Sequence, residues 1–317
     1  MRHRKPTSEY AGTARKVLSL LLALAMVFLT AGCTAGQDPK EDFFAPQEET
    51  GDEVARTPYV MDAVHPVDLR EMESYFTEED YTFTPREYDL QVLESLKEQY
   101  PEYAEHIQFF IDHIGAFHQA AVNNVCVAPE KIDFVLAERF ALQTETKDWY
   151  FDLGGALPYY IQYDTRWAFH PYGNGVMGYT GCGPTCLAMI AAYLTGNPDI
   201  TPDKTADFAL DHGYYVSGSG TDWSLFTSGA EELGLVGQMM ELNDMQMKQA
   251  LWDGKLLVIC LRPGDFTRVG HFVVVHSVDE EGFWLYDPNS IERSSRVWPY
   301  ATLLPQIAQV WSIGRPE

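Results

Sequence analysis

The chain of 317 residues carries 46 acidic against 22 basic residues, which gives a formal net charge of −24. Nucleic-acid-binding proteins present a basic patch, so this balance argues against a nucleic-acid partner and against adsorption to anionic lipid. Aromatic residues make up 13% of the chain, which is ample for a packed core and excludes disorder of the chain as a whole.

The N-terminus has the pattern of an export signal. Five basic residues precede the apolar run 17–29, which is too short to span a membrane comfortably. A cysteine placed directly after Ala31-Gly32 resembles the lipoprotein signal, in which Cys33 is lipidated and becomes the new N-terminus. We therefore expect a signal peptide at 1–32 and attachment to the outer face of the cytoplasmic membrane through this lipid only. Ordinary secretion and a retained membrane anchor are the alternatives.

Two regions separate this signal from the C-terminal half. Residues 33–80 are acidic and poor in apolar periodicity, which predicts a flexible tether. In residues 81–150 apolar side chains recur at helical spacing, over 86–122 and again over 132–140. We expect a helical N-terminal subdomain that packs on the rest of the chain, with a lid or prodomain role as the alternative.

The C-terminal region, 151–317, contains a thiol at the start of a predicted helix. Cys182 lies in Gly-Cys-Gly-Pro-Thr-Cys at 181–186, where Pro184 suits a first helical turn. The free N–H groups and partial positive charge at a helix start stabilise a thiolate, the nucleophilic form of cysteine. Packing in the core is the alternative role for such a cysteine, and it is the role we expect for Cys186 and Cys260. Cys186 could instead resolve an oxidised Cys182.

The same region offers partners for this thiol. His271 begins the apolar strand pattern 271–278, and Asp287 ends the next one, so adjacent strands could hold an imidazole and a carboxylate side by side. The amide of Gln162, upstream, could donate to an oxyanion. Asn289 is the alternative orienter of the imidazole. His170, close in sequence to the cysteine, is the alternative base.

Helices are expected first in this region and strands after them. The cysteine helix should end at Gly196, and further helices are predicted near 202–212 and 224–233. Mostly antiparallel strands are predicted afterwards, at 235–241, 256–262, 271–278, 283–287 and 308–313. This order predicts an α+β domain over 151–317, with the helix of Cys182 lying against the sheet.

Eight short motifs in this order resemble the papain-like cysteine peptidases, and most closely the stand-alone branch related to the bacteriocin-leader (double-glycine) peptidases. They are Gln-Tyr-Asp-Thr-Arg-Trp at 162–167, Gly-Cys-Gly-Pro-Thr-Cys-Leu-Ala-Met at 181–189, Tyr-Leu-Thr-Gly at 193–196, Thr-Pro at 201–202, Gly-Thr-Asp-Trp at 220–223, Gly-Asp-Phe-Thr at 264–267, Gly-His-Phe at 270–272 and Asp-Pro-Asn-Ser at 287–290. The resemblance implies a papain-like fold with a nucleophile helix packed on a mostly antiparallel sheet. It also implies catalytic roles for four residues: Cys182 as nucleophile, His271 as base, Asp287 as orienter and Gln162 as oxyanion donor.

The function expected from this resemblance is hydrolysis of peptide bonds in a peptide or protein outside the cytoplasmic membrane, without a cofactor. Neither CxxC nor HExxH occurs, so no metal site is expected. The GxxxxGK[ST] motif of an ATP-binding cassette is also missing, so a double-glycine leader need not be the substrate. The alternatives are a thiol amidase or acyltransferase acting on a cell-wall or other non-protein amide, and a binding lipoprotein without catalysis.

Overall fold

A computed structural model describes residues 55–140 and 149–317 of the chain. The predicted signal peptide, Cys33 and the first part of the predicted tether lie outside these residues. Within the two described ranges, no helix is long and apolar enough to cross a membrane.

The first described range is mostly helical, and its helices after residue 86 lie where the periodicity predicts them. Its helices are α1 (Leu69–Glu73), α2 (Glu87–Gln99), α3 (Ala104–Asp112), α4 (Gln119–Val127) and α5 (Ile132–Arg139). Their buried faces share one apolar cluster, which also contains Ile161 and Tyr163 from the next part of the chain. The helical segment is therefore packed on the domain that follows it.

Residues 55–80, which the sequence assigned to the tether, are packed on the domain as well. The strand β1 (Thr57–Pro58) pairs in parallel with β2 (Phe151–Asp152). The ring of Tyr59 lies 4.8 Å from that of Tyr160, and Met72 is only 3% exposed. The prediction of a tether up to residue 80 is wrong for this stretch because single apolar side chains attach it, and these produce no periodic pattern.

The long helix of the second range begins at the predicted thiol. Short elements precede it, namely β3 (Pro171–Tyr172), β4 (Gly175–Val176) and α6 (Met177–Thr180). The helix α7 (Cys182–Thr195) follows and ends, as predicted, at Gly196, whose φ of +74° suits a glycine. Apolar side chains surround α7 on nearly all sides, which is typical of a helix buried in a core.

Further short elements lead from α7 to the sheet. They are α8 (Pro202–Asp211), β5 (Tyr215–Val216), β6 (Gly220–Thr221), a 3-10 turn at Trp223–Phe226 and α9 (Ser228–Glu232). The predicted helix at 224–233 is therefore split into a 3-10 turn and a short α-helix.

The main sheet has the order β10-β9-β8-β11-β7, and every neighbouring pair is antiparallel. Its strands are β7 (Val236–Met240), β8 (Leu256–Leu261), β9 (His271–Val278), β10 (Phe283–Tyr286) and β11 (Ile307–Gly314). Alternate side chains of the central strands face α7, and the others face α10 (Asp244–Trp252) on the opposite side. The predicted α+β architecture is confirmed.

Three helices in the strand-rich part were not predicted: α10, α11 (Ile291–Ser294) and α12 (Tyr300–Leu303). The start of α10 is capped by Asn243, whose side chain accepts a hydrogen bond from the N–H of Gln246 at 3.0 Å. Only two of its residues, Met247 and Ala250, are buried, so its apolar stripe is too narrow to stand out in the sequence.

Candidate active site

Cys182 is the first residue of α7, and its thiol is half-buried. The glycines on either side of it are required by close packing. A Cβ at Gly183 would lie 2.4 Å from the hydroxyl oxygen of Thr221, and a Cβ at Gly181 would lie 2.5 Å from the sulfur of Met177. The thiol therefore sits at a helix start that is closely covered on both sides.

The surroundings of Cys182 favour its thiolate. Burial raises the pKa of the thiol, but the hydrogen bond and the charge of His271 outweigh burial, so the pKa is lowered from its ordinary value. The backbone N–H groups of Phe272 and Gly183 also donate to the sulfur. These donors all stabilise a negative charge on the sulfur atom.

His271 lies at the first position of β9 and is buried between the thiol and a carboxylate. Its Nε2 atom is 2.7 Å from Oδ1 of Asp287, which leaves Nδ1 for Cys182. Burial lowers the pKa of His271, but the charge of Asp287 and the hydrogen bonds to Asp287 and Cys182 raise it to about 9. The shifts of the two pKa values therefore both favour an imidazolium beside a thiolate.

Asp287, directly after β10, is fully buried. Its Oδ1 atom also accepts the backbone N–H of Asn289 at 2.7 Å, and its Oδ2 atom accepts Nε of Arg293 at 2.6 Å. Burial opposes ionisation, but the charges of Arg293 and His271 hold the pKa of the carboxyl well below its ordinary value. Between the two predicted orienters, the structure brings the carboxylate of Asp287 to the imidazole, whereas the side chain of Asn289 contacts Lys131.

The fourth predicted residue, Gln162, is 2% exposed and forms hydrogen bonds with two segments of the site. Its backbone N–H donates to the carbonyl of Pro288 at 2.8 Å, next to Asp287. Its Nε2 atom donates to the carbonyl of Gly178, also at 2.8 Å, in the helix just before Cys182. The side-chain oxygen Oε1 has no hydrogen-bond partner among the described residues. An amide nitrogen has two hydrogens, so one remains for a further acceptor.

Two buried cations at this site were missed by the sequence analysis. Arg293 pairs with Asp287 and also donates from Nη1 to the carbonyl of Val127. Lys131 is fully buried, and its Nζ atom donates to Gly178, Asn124 and Asn289. Burial lowers the pKa of Lys131 to about 7. Lysine and arginine are usually exposed, so neither residue produced a sequence signal for a buried role.

The other described thiols have raised pKa values, and the alternative base, His170, contacts a different carboxylate. The described cysteines are free. Burial raises the pKa of Cys186 well above its ordinary value, that of Cys260 to about 12 and that of Cys126 to about 11. His170 contacts Asp207 through Nε2 at 2.8 Å. Among residues 55–140 and 149–317, no three histidine, cysteine or acidic side chains are grouped so as to hold a metal ion.

A family model described as the Peptidase_C39-like family matches residues 156–315, about half of the chain. Two solved structures are similar to parts of it. The peptidase domain of Streptococcus ComA, a bi-functional ABC transporter involved in quorum sensing, is 16% identical, with 47% of this chain and 99% of that chain covered and a TM-score of 0.33. A C39-like peptidase from Bacillus anthracis is 18% identical, with 51% and 96% covered and a TM-score of 0.32. No curated protein matches the chain.

Proposed function

The chain belongs to the Peptidase_C39-like family, and from this premise and the surroundings of Cys182 we propose that it hydrolyses peptide bonds by a Cys-His-Asp mechanism. The family membership confirms the predicted relation to the bacteriocin-leader peptidases and the papain-like α+β fold. It supports a cysteine peptidase as the type of enzyme. The catalytic residues and the place of action are our proposals.

The observation that supports the mechanism is the chain of contacts from Cys182 through His271 to the buried Asp287. The pKa of the imidazole is raised and that of the thiol is lowered, and both shifts favour the pair of charged forms. The thiolate attacks the carbonyl carbon of the substrate, and the imidazolium then gives its proton to the leaving amine. Water attacks the resulting thioester and passes one proton to His271, which restores the ion pair as the acid departs.

Negative charge builds on the substrate oxygen during the attack. We propose the second amide hydrogen of Gln162 and the backbone N–H of Cys182, at the start of α7, as its donors. Loss of one such donor lowers turnover by about 10²–10³-fold in other acyl-transfer enzymes. A hydrogen bond to Gly178 holds the amide of Gln162, and the helix holds the N–H of Cys182, so both donors are in place before the charge develops.

Cleavage of a proteome-derived peptide library by the purified protein tests this proposal. We expect new peptide termini with the wild-type protein and none with Cys182→Ala, since the variant lacks the nucleophile. Cys260→Ala is the matched control, because it removes a thiol whose pKa is raised and should leave cleavage unchanged. Equal cleavage by the wild-type and Cys182→Ala proteins would refute the proposal. Release of fragments from peptidoglycan sacculi, without cleavage of the library, would instead identify a cell-wall amidase.

We also propose that the protein acts outside the cytoplasmic membrane, as a lipoprotein anchored at Cys33. The support is the sequence pattern of 1–33, which lies outside the described residues. Cys33→Ala should release the protein into the medium or leave an uncut precursor, as seen by cell fractionation and mass spectrometry. An unchanged membrane fraction whose N-terminal peptide carries no lipid would exclude this anchor.

A further inference from the structure

The helical segment ahead of the family domain makes polar contacts with the turn that contains Asp287 and with α11, which follows it. Glu130 accepts a hydrogen bond from the hydroxyl of Ser290 at 2.5 Å, and Tyr100 donates to Glu292 at 2.8 Å. The carbonyl of Val127 accepts Nη1 of Arg293. All three residues of the helical segment precede residue 156, where the family match begins. The loop of Asp287 is therefore held partly by residues that the family match does not include.

Lys131 makes the most deeply buried of these contacts, and it joins three segments. Its Nζ atom donates to the side chain of Asn124 in α4, to the carbonyl of Gly178 in α6 at 2.6 Å, and to the side chain of Asn289. An ammonium group has three hydrogens, so these three oxygens use all of them. None of the three acceptors is a carboxylate. A buried cation without a directly bonded anion is expensive, and an apolar side chain would fill the same volume at a lower desolvation cost.

Two of these acceptors are linked to the reacting groups. Asn289 donates its backbone N–H to Asp287, and the carbonyl of Gly178 also accepts the amide of Gln162. Lys131 is therefore linked to Asp287 through Asn289, and to Gln162 through Gly178. The charged groups that interact with it are Glu130, Asp287, Arg293 and Cys182. Below a pH of about 7, where Lys131 is protonated, its positive charge favours the thiolate form of the cysteine.

We propose that Lys131 is a positioning residue of the active site, supplied from outside the family domain. It holds the turn at 287–290 against α6 and so sets Asp287 and Gln162 relative to Cys182. This inference rests on the proposed role of Cys182. Its test therefore measures the reactivity of that thiol separately from peptide hydrolysis.

The experiment compares Lys131→Met with the wild-type protein by iodoacetamide labelling of Cys182 across pH 5–9, followed by mass spectrometry. We expect the rate near pH 6 to fall about tenfold and the midpoint of the profile to move to higher pH, as a one-unit change in the thiol pKa requires. We expect kcat to fall about 10²-fold with KM little changed, because misplaced groups slow the chemical step. The matched control is Lys248→Met on α10, on the other side of the sheet.

A second variant covers the case in which Lys131→Met does not fold. Asn289→Ala keeps the buried ammonium and its contacts to Asn124 and Gly178, but breaks the link to the turn of Asp287. It should shift the labelling profile in the same direction by a smaller amount. If the folded variants have lower melting temperatures but wild-type labelling profiles, Lys131 has only a structural role and the proposal is overturned. If Cys182 of the wild-type protein is labelled no faster than Cys126, the proposed function itself fails, and this inference with it.

Discussion

Asp287→Asn should impair both catalysis and folding, because the carboxylate of Asp287 orients His271 and also neutralises a buried arginine. The fully buried carboxylate accepts from His271, from Arg293 and from the backbone of Asn289. An asparagine side chain retains one acceptor oxygen but turns its NH₂ group toward another donor. Asp287 is at the centre of a buried network, so its substitution should lower the melting temperature.

The expected loss of stability follows from Arg293, whose buried charge is left unpaired when Asp287 is replaced. Removing one member of a buried ion pair costs about 3–5 kcal/mol, because the other charge stays buried and unpaired. For a domain of this size each kcal/mol lowers the melting temperature by about 2–4 °C, so the expected fall is roughly 6–20 °C. Turnover should also fall, because the imidazolium of His271 loses the carboxylate charge that stabilises it. In other triads the same Asp-to-Asn change lowers turnover by about 10⁴-fold.

The assay combines thermal melts with steady-state kinetics for Asp287→Asn, Arg293→Met and the double variant. Because Arg293→Met removes the stranded charge, the double variant should be more stable than the sum of the two single effects predicts. Its turnover should stay as low as that of Asp287→Asn, since the imidazolium remains without the carboxylate charge that stabilises it. A wild-type melting temperature for Asp287→Asn would refute the ion-pair argument. Full activity of Asp287→Asn, with Asn289→Ala inactive, would show that the orienter is misassigned.

The remaining predictions concern the pH dependence set by His271 and the proposed oxyanion donor Gln162. The value of kcat/KM should fall as pH rises through about 9, because His271 then loses the proton that it gives to the leaving amine. Because this pKa is raised, the pairing of His271 with Asp287 contributes fully to stability below pH about 6.5, and this contribution is lost as the pH rises through about 9. Thermal melts and rates measured from pH 6 to 10 test both statements. Melting temperatures and rates that do not change over this range would contradict them. Gln162→Ala should lower kcat by about 10²–10³-fold, and its kinetics at saturating substrate test this. Undiminished turnover would eliminate its amide as a donor. Because Gln162 is buried and bonded to Gly178, this variant should also melt at a lower temperature.

Local pattern was sufficient for much of the fold and for part of the site. The helix start at Cys182 follows from the proline in its first turn, and its end follows from Gly196, which adopts a positive φ; both preferences act within one turn of backbone. The strand at 271–278 follows from a run of apolar and β-branched residues, and its predicted bounds match β9. With the family resemblance, these patterns were enough to select Cys182, His271, Asp287 and Gln162, which the structure brings to one region of the domain.

Only the tertiary structure reveals the network that holds these residues. Lys131 and Asn289 are 158 positions apart, and Val127 and Arg293 are 166 positions apart, so no periodicity or spacing connects them. The same holds for the insertion of β11 between β8 and β7, and for the packing of residues 55–80. A sequence pattern reports which face of one element is apolar, and it treats lysine and arginine as exposed. Burial of these two cations is decided by acceptors from distant segments, which meet only when the chain has folded.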